Sequence, residues 1–132
     1  MNDQLTRNQN ILKKYIPEKA VPVVSEWIYR YDFKLKIKKS RSTKLGDYRP
    51  PFNGKNHQIT INHDMNKYAF FITLIHEVAH LDNYLHYKNS VKPHGEEWKS
   101  SYKKLMSPFL NTDYFPHDVI LVLQAYMSNP AA

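Results

Sequence analysis

Two histidines one helical turn apart, His76 and His80, with a glutamate between them at Glu77, are the residues of this chain best equipped for chemistry. Positions i and i+4 of an α-helix share a face, so two imidazoles placed there can grip one metal ion together. Glu77 lies one position on, near enough to touch a water beside that ion without becoming a ligand. His76-Glu77-Val78-Ala79-His80 is the H-E-x-x-H arrangement, in which the glutamate is general base toward a water that zinc activates. With 7 histidines in 132 residues, a chance match is on the order of one in a hundred, so composition alone does not account for it.

The context agrees with the mechanics. Phe71, Leu74, Ile75, Val78, Leu81 and Leu85 recur at spacings of three and four, an apolar helical stripe with the histidines at its border. The competing reading is a pair of surface histidines on an ordinary amphipathic helix. A catalytic zinc takes three protein ligands and leaves a fourth position open, so a third ligand is expected downstream. His86, His94, Glu96, Glu97 and His117 are the candidates. His86 is turned away from the metal face if the helix continues. Pro93 biases Lys92 away from helical geometry, so the chain breaks there. Reversal through that break carries His94 back over the first two histidines, and His94 is the expected third ligand. Glu97 is the alternative, because a His₂Glu set is equally good zinc chemistry.

The combination resembles the SprT/Spartan family of metalloproteases. The likeness rests on His76-Glu77-x-x-His80 together with the later His94-Gly95-x-Glu97-Trp98. Upstream, Leu45-Gly46-Asp47-Tyr48-Arg49 followed by Ile59-Thr60-Ile61-Asn62 is similar to that family's glycine turn and strand before the active helix. It spans roughly Trp27 to Met106. The resemblance implies one catalytic zinc held by His76, His80 and His94, Glu77 as catalytic base, and a zincin-like fold with the H-E-x-x-H helix at its centre. It also implies proteolysis of proteins on or near DNA, as in the family's crosslink-repair members. Residues 1–132 are expected to form a single SprT-like metalloprotease domain. With no cysteine, the zinc ribbon carried by some relatives is absent from these residues.

A hydrophobic content of 42% and an aromatic content of 14%, with 10 tyrosines, argue against wholesale disorder and for one modest core. The absence of cysteine excludes a disulfide framework and thiolate ligands, leaving histidine and carboxylate. Met1 to Asn10 is polar, with no apolar signal-peptide core, and Val119-Ile120-Leu121-Val122-Leu123 is too short to span a bilayer. A cytoplasmic protein without membrane association is therefore expected. The net charge of +7 favours acidic partners, with nucleic acid the leading one. Phe33-Lys34-Leu35-Lys36-Ile37-Lys38 alternates strictly, placing Lys34, Lys36 and Lys38 on one strand face as candidate phosphate contacts. Lys39, Arg41 and Lys44 extend the basic run. The alternative is a lysine-rich face that only guards a sheet edge against aggregation.

The remaining pattern predicts an α+β chain, a small sheet of about three strands packed against a helical cluster. Leu5 to Ile16 reads as a helix stopped by Pro17, and Val23, Val24, Trp27, Ile28 and Tyr31 as a second, with Pro22 in its first turn. Strands are expected over Phe33–Ile37, between Thr43 and Arg49, and over His57–Asn62, with Pro50 to Gly54 a loop. Asn62-His63-Asp64 offers caps for the long helix that starts near Asn66. A helix follows from His94 to Met106, burying Trp98, Tyr102 and Leu105. Asp113 or Asp118 is expected to cap a last helix that turns Val119, Val122, Leu123 and Tyr126 inward. His57–Asn62 is also the strand expected to pair with an extended substrate. Tyr48, Tyr84 and Tyr87 are candidates for oxyanion stabilisation.

Three functions are compatible with this reading. The first is a zinc endopeptidase acting on protein substrates. A second is a regulatory zinc peptidase with one specific substrate. The third is a non-catalytic nucleic-acid-binding module with a structural metal, which an intact Glu77 beside a three-histidine set disfavours.

Overall fold

The computed structural model describes residues 3–40 and 43–130, so Arg41 of the basic run lies outside the described residues. Five helices and a three-stranded mixed sheet make an α+β fold. In chain order the elements are α1 (Asp3–Leu12), α2 (Val21–Tyr31), β1 (Phe33–Lys38), β2 (Gly46–Arg49), β3 (His57–Asn62), α3 (Lys67–Tyr87), α4 (Glu96–Met106) and α5 (His117–Met127). Single 3₁₀ turns at Glu18–Ala20 and Ser107–Phe109 join α1 to α2 and follow α4. No helix among the described residues is long and apolar enough to cross a membrane.

The sheet order is β1-β3-β2, with β1 parallel and β2 antiparallel to β3. This corrects the expectation that His57–Asn62 offers a free edge to substrate. β3 is central, and both of its edges are already hydrogen-bonded. Its burial follows from that place: Ile59 and Ile61 are fully buried, and even Thr60 and Asn62 are nearly so. Alternation in β1 turns Phe33, Leu35 and Ile37 toward the core. Lys34, Lys36 and Lys38 stand on the other face, in register with Gln58, Thr60 and Asn62.

Helix α3 is the spine. Asn66 caps it, its side chain accepting from the backbone N–H groups of Tyr68 (3.0 Å) and Ala69 (2.9 Å). The cap is therefore Asn66 itself rather than Asn62, His63 or Asp64, because only a side chain two or three residues upstream reaches those orphan donors. Phe70, Phe71, Leu74, Ile75, Val78 and Leu81 are fully buried between the sheet and the other helices. Each such side chain contributes about 1.5–3 kcal/mol relative to exposure. Leu85 ends the apolar stripe early and is 44% exposed, because the last turn of α3 runs beyond the core.

Three boundaries differ from expectation. α1 ends at Leu12, and Ile16 reaches the core from a turn after it. α4 begins at Glu96, leaving His94 in the preceding loop. α5 has Pro116 at its start and no side-chain cap; Asp113 instead pairs with Lys19 at 3.1 Å. In α5, Leu123 is buried and Val119 and Tyr126 pack against the core as expected, but Val122 is 69% exposed and Ile120 is buried instead.

Candidate metal centre and cleft

The metal-binding pattern in the sequence becomes a cluster because a turn returns the chain to α3. Lys92 to Gly95 has the features of a type II turn. Proline is its second residue, His94 its third with φ 61°, and the Gly95 N–H closes it on the Lys92 carbonyl at 3.1 Å. Left-handed backbone is uncommon for a side chain other than glycine, and histidine is among the residues that tolerate it. A Cβ on Gly95 would sit 3.1 Å from that same carbonyl oxygen, so the turn is tight on both sides.

This turn sets His94 Nε2 at 3.1 Å from His76 Nε2 and 2.9 Å from His80 Nε2. The three ligand atoms lie within 4.8 Å of one another. Burial, then repulsion from His94, lowers the His76 pKa to about 4. Burial, then His76 and His94, lowers that of His80 to about 3. Burial also lowers His94. All three rings are thus neutral at physiological pH, each with a lone pair to give.

Trp98, fully buried, backs the cluster. Its ring lies 4.8 Å from that of His76, 5.4 Å from His80 and 4.7 Å from His94, and its indole N–H donates to the His76 carbonyl at 3.4 Å. Tyr102 stacks beneath it at 5.1 Å. Asp82 ties three helices together behind this wall, accepting from Tyr31 at 3.2 Å and Ser101 at 3.0 Å. Position within half an ångström matters to a metal site, and this packing supplies it.

Glu77 is buried on the side of α3 that faces β2. Gly46 makes that approach feasible. A Cβ there would lie 3.0 Å from both the Thr60 carbonyl oxygen and Thr73 Cγ2, and 3.4 Å from Glu77 Oε2. A side chain at this position would press on the Thr60 carbonyl and the Thr73 methyl and would just touch the carboxylate.

An open cleft of about 610 Å³ lies over these groups. One wall is Gly46, Asp47, Tyr48 and Pro50; the floor is His76, Glu77, His80, Asn83 and Tyr84; the other wall is the segment from Lys88 to His94. The structure therefore gathers His76, Glu77, His80 and His94 in one place. Glu97, the alternative ligand, is outside the three-residue group, as are His86, Glu96 and His117. His86 instead hydrogen-bonds the Asp82 carbonyl at 2.9 Å.

Of the tyrosines, Tyr48 and Tyr84 line the cleft, whereas Tyr87 is 43% exposed and does not. The Tyr48 hydroxyl is engaged with His57 Nδ1 at 2.7 Å. Burial raises Tyr48 well above the usual phenol range and lowers His57, so the pair is neutral. Lys34, Lys36 and Lys38 are not in the cleft. Asn83 and the close approach of Gly46 escaped sequence reasoning. Asn83 had a signal, falling seven residues after His76 on the same helical face; the approach of Gly46 to Glu77 had none, since nothing local relates them.

An α+β fold with a three-histidine group and a buried glutamate beneath an open cleft is compatible with the metallopeptidase-like domain that the family match indicates. Residues 20–119 match the SprT-like family, and the chain belongs to that family. Comparison with curated proteins and with solved structures gives no match.

Proposed function

We propose that this protein is a zinc-dependent endopeptidase acting on protein substrates. The observation that carries the reading is the convergence of His76, His80 and His94 beside Glu77 in an open cleft. The nitrogens fit a tetrahedral ion. Imidazole nitrogens at about 2.0–2.1 Å from zinc stand roughly 3.3 Å apart, against 2.9 Å and 3.1 Å here. Neutral imidazoles carry one N–H each, and three nitrogens aimed at one point satisfy each other poorly without a cation. When bound there, zinc supplies Lewis-acid polarisation of a carbonyl and lowers the pKa of water toward neutrality.

The chain's own residues do the rest. Glu77, buried against Gly46, takes a proton from the attacking water on its carboxylate and returns it to the leaving amine nitrogen. Its burial keeps bulk water from competing for that proton. The strand beside the cleft is β2, paired with β3 on one side only among the described residues. Its outer edge can receive an extended substrate in place of β3. Tyr48 and Tyr84 border the same space.

Substrates held on DNA fit the charge distribution. Lys36 is depressed below the usual lysine range, first by partial desolvation and then by Lys34, Lys38, Lys55 and Arg49. Five cations thus crowd one outer surface, the footprint that nucleic-acid phosphates recognise.

The deciding experiment is Glu77→Gln. The amide keeps the shape but cannot take up a proton, so cleavage of denatured casein should fall roughly 10²–10⁴-fold with zinc content unchanged. Casein cleaved at the native rate by this variant would overturn the assignment of Glu77. Loss of zinc would instead place Glu77 among the ligands.

A further inference from the structure

Asn83 lies one turn past His80 on the histidine-bearing face of α3, and it lines the cleft. It is only 6% exposed, and its Oδ1 is sealed from solvent with no hydrogen-bond partner. Its neighbour Tyr84 lies against Tyr48 and His57, and none of these groups hydrogen-bonds the Asn83 amide among the described residues. Buried amide oxygens are almost always paired, because leaving one unmade destabilises the folded chain. An apolar residue here would avoid that cost. An orphaned group of this kind calls for a partner that the folded chain does not itself supply.

The missing partner has a definite chemistry. A carboxamide presents one acceptor and one donor side by side. In an extended peptide the N–H and C=O of a single residue point to the same side, as in a hydrogen-bonded pair of an antiparallel ladder. The two patterns are complementary once the amide turns about its Cβ–Cγ bond, a soft torsion, to present the oxygen to the cleft that Asn83 lines. Along the helix axis Asn83 is displaced from His80 by about 4.5 Å, little more than one extended residue at about 3.3 Å. We propose that Asn83 is a substrate-positioning residue that grips the main chain of an extended polypeptide about one residue from the scissile bond. Recognition through N–H and C=O reads no side chain, so the grip is tolerant of sequence and requires only an unfolded segment. A proline at the gripped position lacks the N–H and is rejected.

This assignment rests on the endopeptidase reading for its meaning, so it is tested first by binding without turnover. Zinc-loaded Glu77→Gln protein is titrated with a fluorescein-labelled peptide of mixed, unstructured sequence. Adding Asn83→Leu should weaken binding about tenfold, the equivalent of one or two hydrogen bonds, while zinc content holds. The thermal midpoint should stay level or rise, because the unpaired oxygen is gone; a structural role would lower it. Asn83→Ala keeps the test open if leucine does not fit. With Glu77 restored, the Asn83 variants should raise KM about tenfold and change kcat little.

Unchanged affinity and KM would overturn the assignment, as would a peptide that does not bind protein retaining Asn83, or a fall in midpoint accompanied by zinc loss. The two readings fail separately. A wild-type protein that binds peptide through Asn83 but cuts nothing removes the endopeptidase and keeps the grip. One that cuts with native KM in the Asn83 variants does the reverse.

Discussion

The histidine-bearing face of α3 and the outer face of the sheet both gather groups that can carry positive charge, yet they behave in opposite ways. On α3, three imidazoles pack against Trp98 and are stripped of water, so burial holds them neutral and directional. On the sheet, Lys34 and Lys38 are exposed and remain solvated. Loss of water turns a titratable group into a ligand, whereas retained water leaves it a diffuse source of field. The first face should therefore be sensitive to single atoms. The second should respond to the sum of its charges.

The largest effect expected from this contrast is at His94. Replacing it with Gly removes the ring without forcing a Cβ to hold a φ of 61°. Zinc affinity should fall by more than the roughly 10–100-fold that losing an outer partner of a ligand costs. Metal analysis after dialysis reads the result. Undiminished occupancy would move the third ligand to Glu97 and break the idea of one turn-built cluster.

A smaller effect concerns acid. In metal-free protein the unfolded chain takes up protons near the ordinary histidine value of about 6.5, while folded His76 and His80 refuse them until about 4 and about 3. The unfolded state therefore binds more protons across this window, and stability falls as pH drops through it. Above about pH 6.5 these rings contribute no slope. Urea midpoints measured with a chelator across that range check the sign. A midpoint that stays level through the window would mean the rings are hydrated, and the contrast with the lysine face would disappear.

The smallest effect belongs to the sheet. Converting Lys34, Lys36 and Lys38 to Gln should leave zinc unchanged and flatten the salt dependence of DNA binding. The log–log slope should drop by about 0.7–0.9 for each phosphate no longer neutralised. Binding titrations at several salt concentrations give that slope. An unaltered slope with greater aggregation would make the strand a protected edge and nothing more.

How much of this was legible in the sequence follows the range of the interactions involved. The H-E-x-x-H pair was legible because i,i+4 geometry depends only on the helix. The bounds of β3 and the lysine face of β1 were legible because alternation is local, and the break at Pro93 because one ring imposes it. Residues that depend on partners far along the chain were not. Val122 looked as apolar as Ile120, and only the docking angle of α5 decided which was buried. β3 looked like a candidate edge until β1 and β2 closed on both sides of it.

By itself, then, the sequence determined the helix, the pair of histidines on one face, the glutamate between them and the alternating charge of β1, since each is encoded within a few neighbouring residues. Tertiary structure alone decided that His94 rather than Glu97 comes within 3.1 Å of the pair. It also decided that β2 borders the cleft, that Gly46 meets Glu77, and that the Asn83 oxygen is buried without a partner. Those outcomes depend on chain reversal and sheet pairing. Both are set by burying one shared core, and no local pattern of residues records which distant group that core brings alongside.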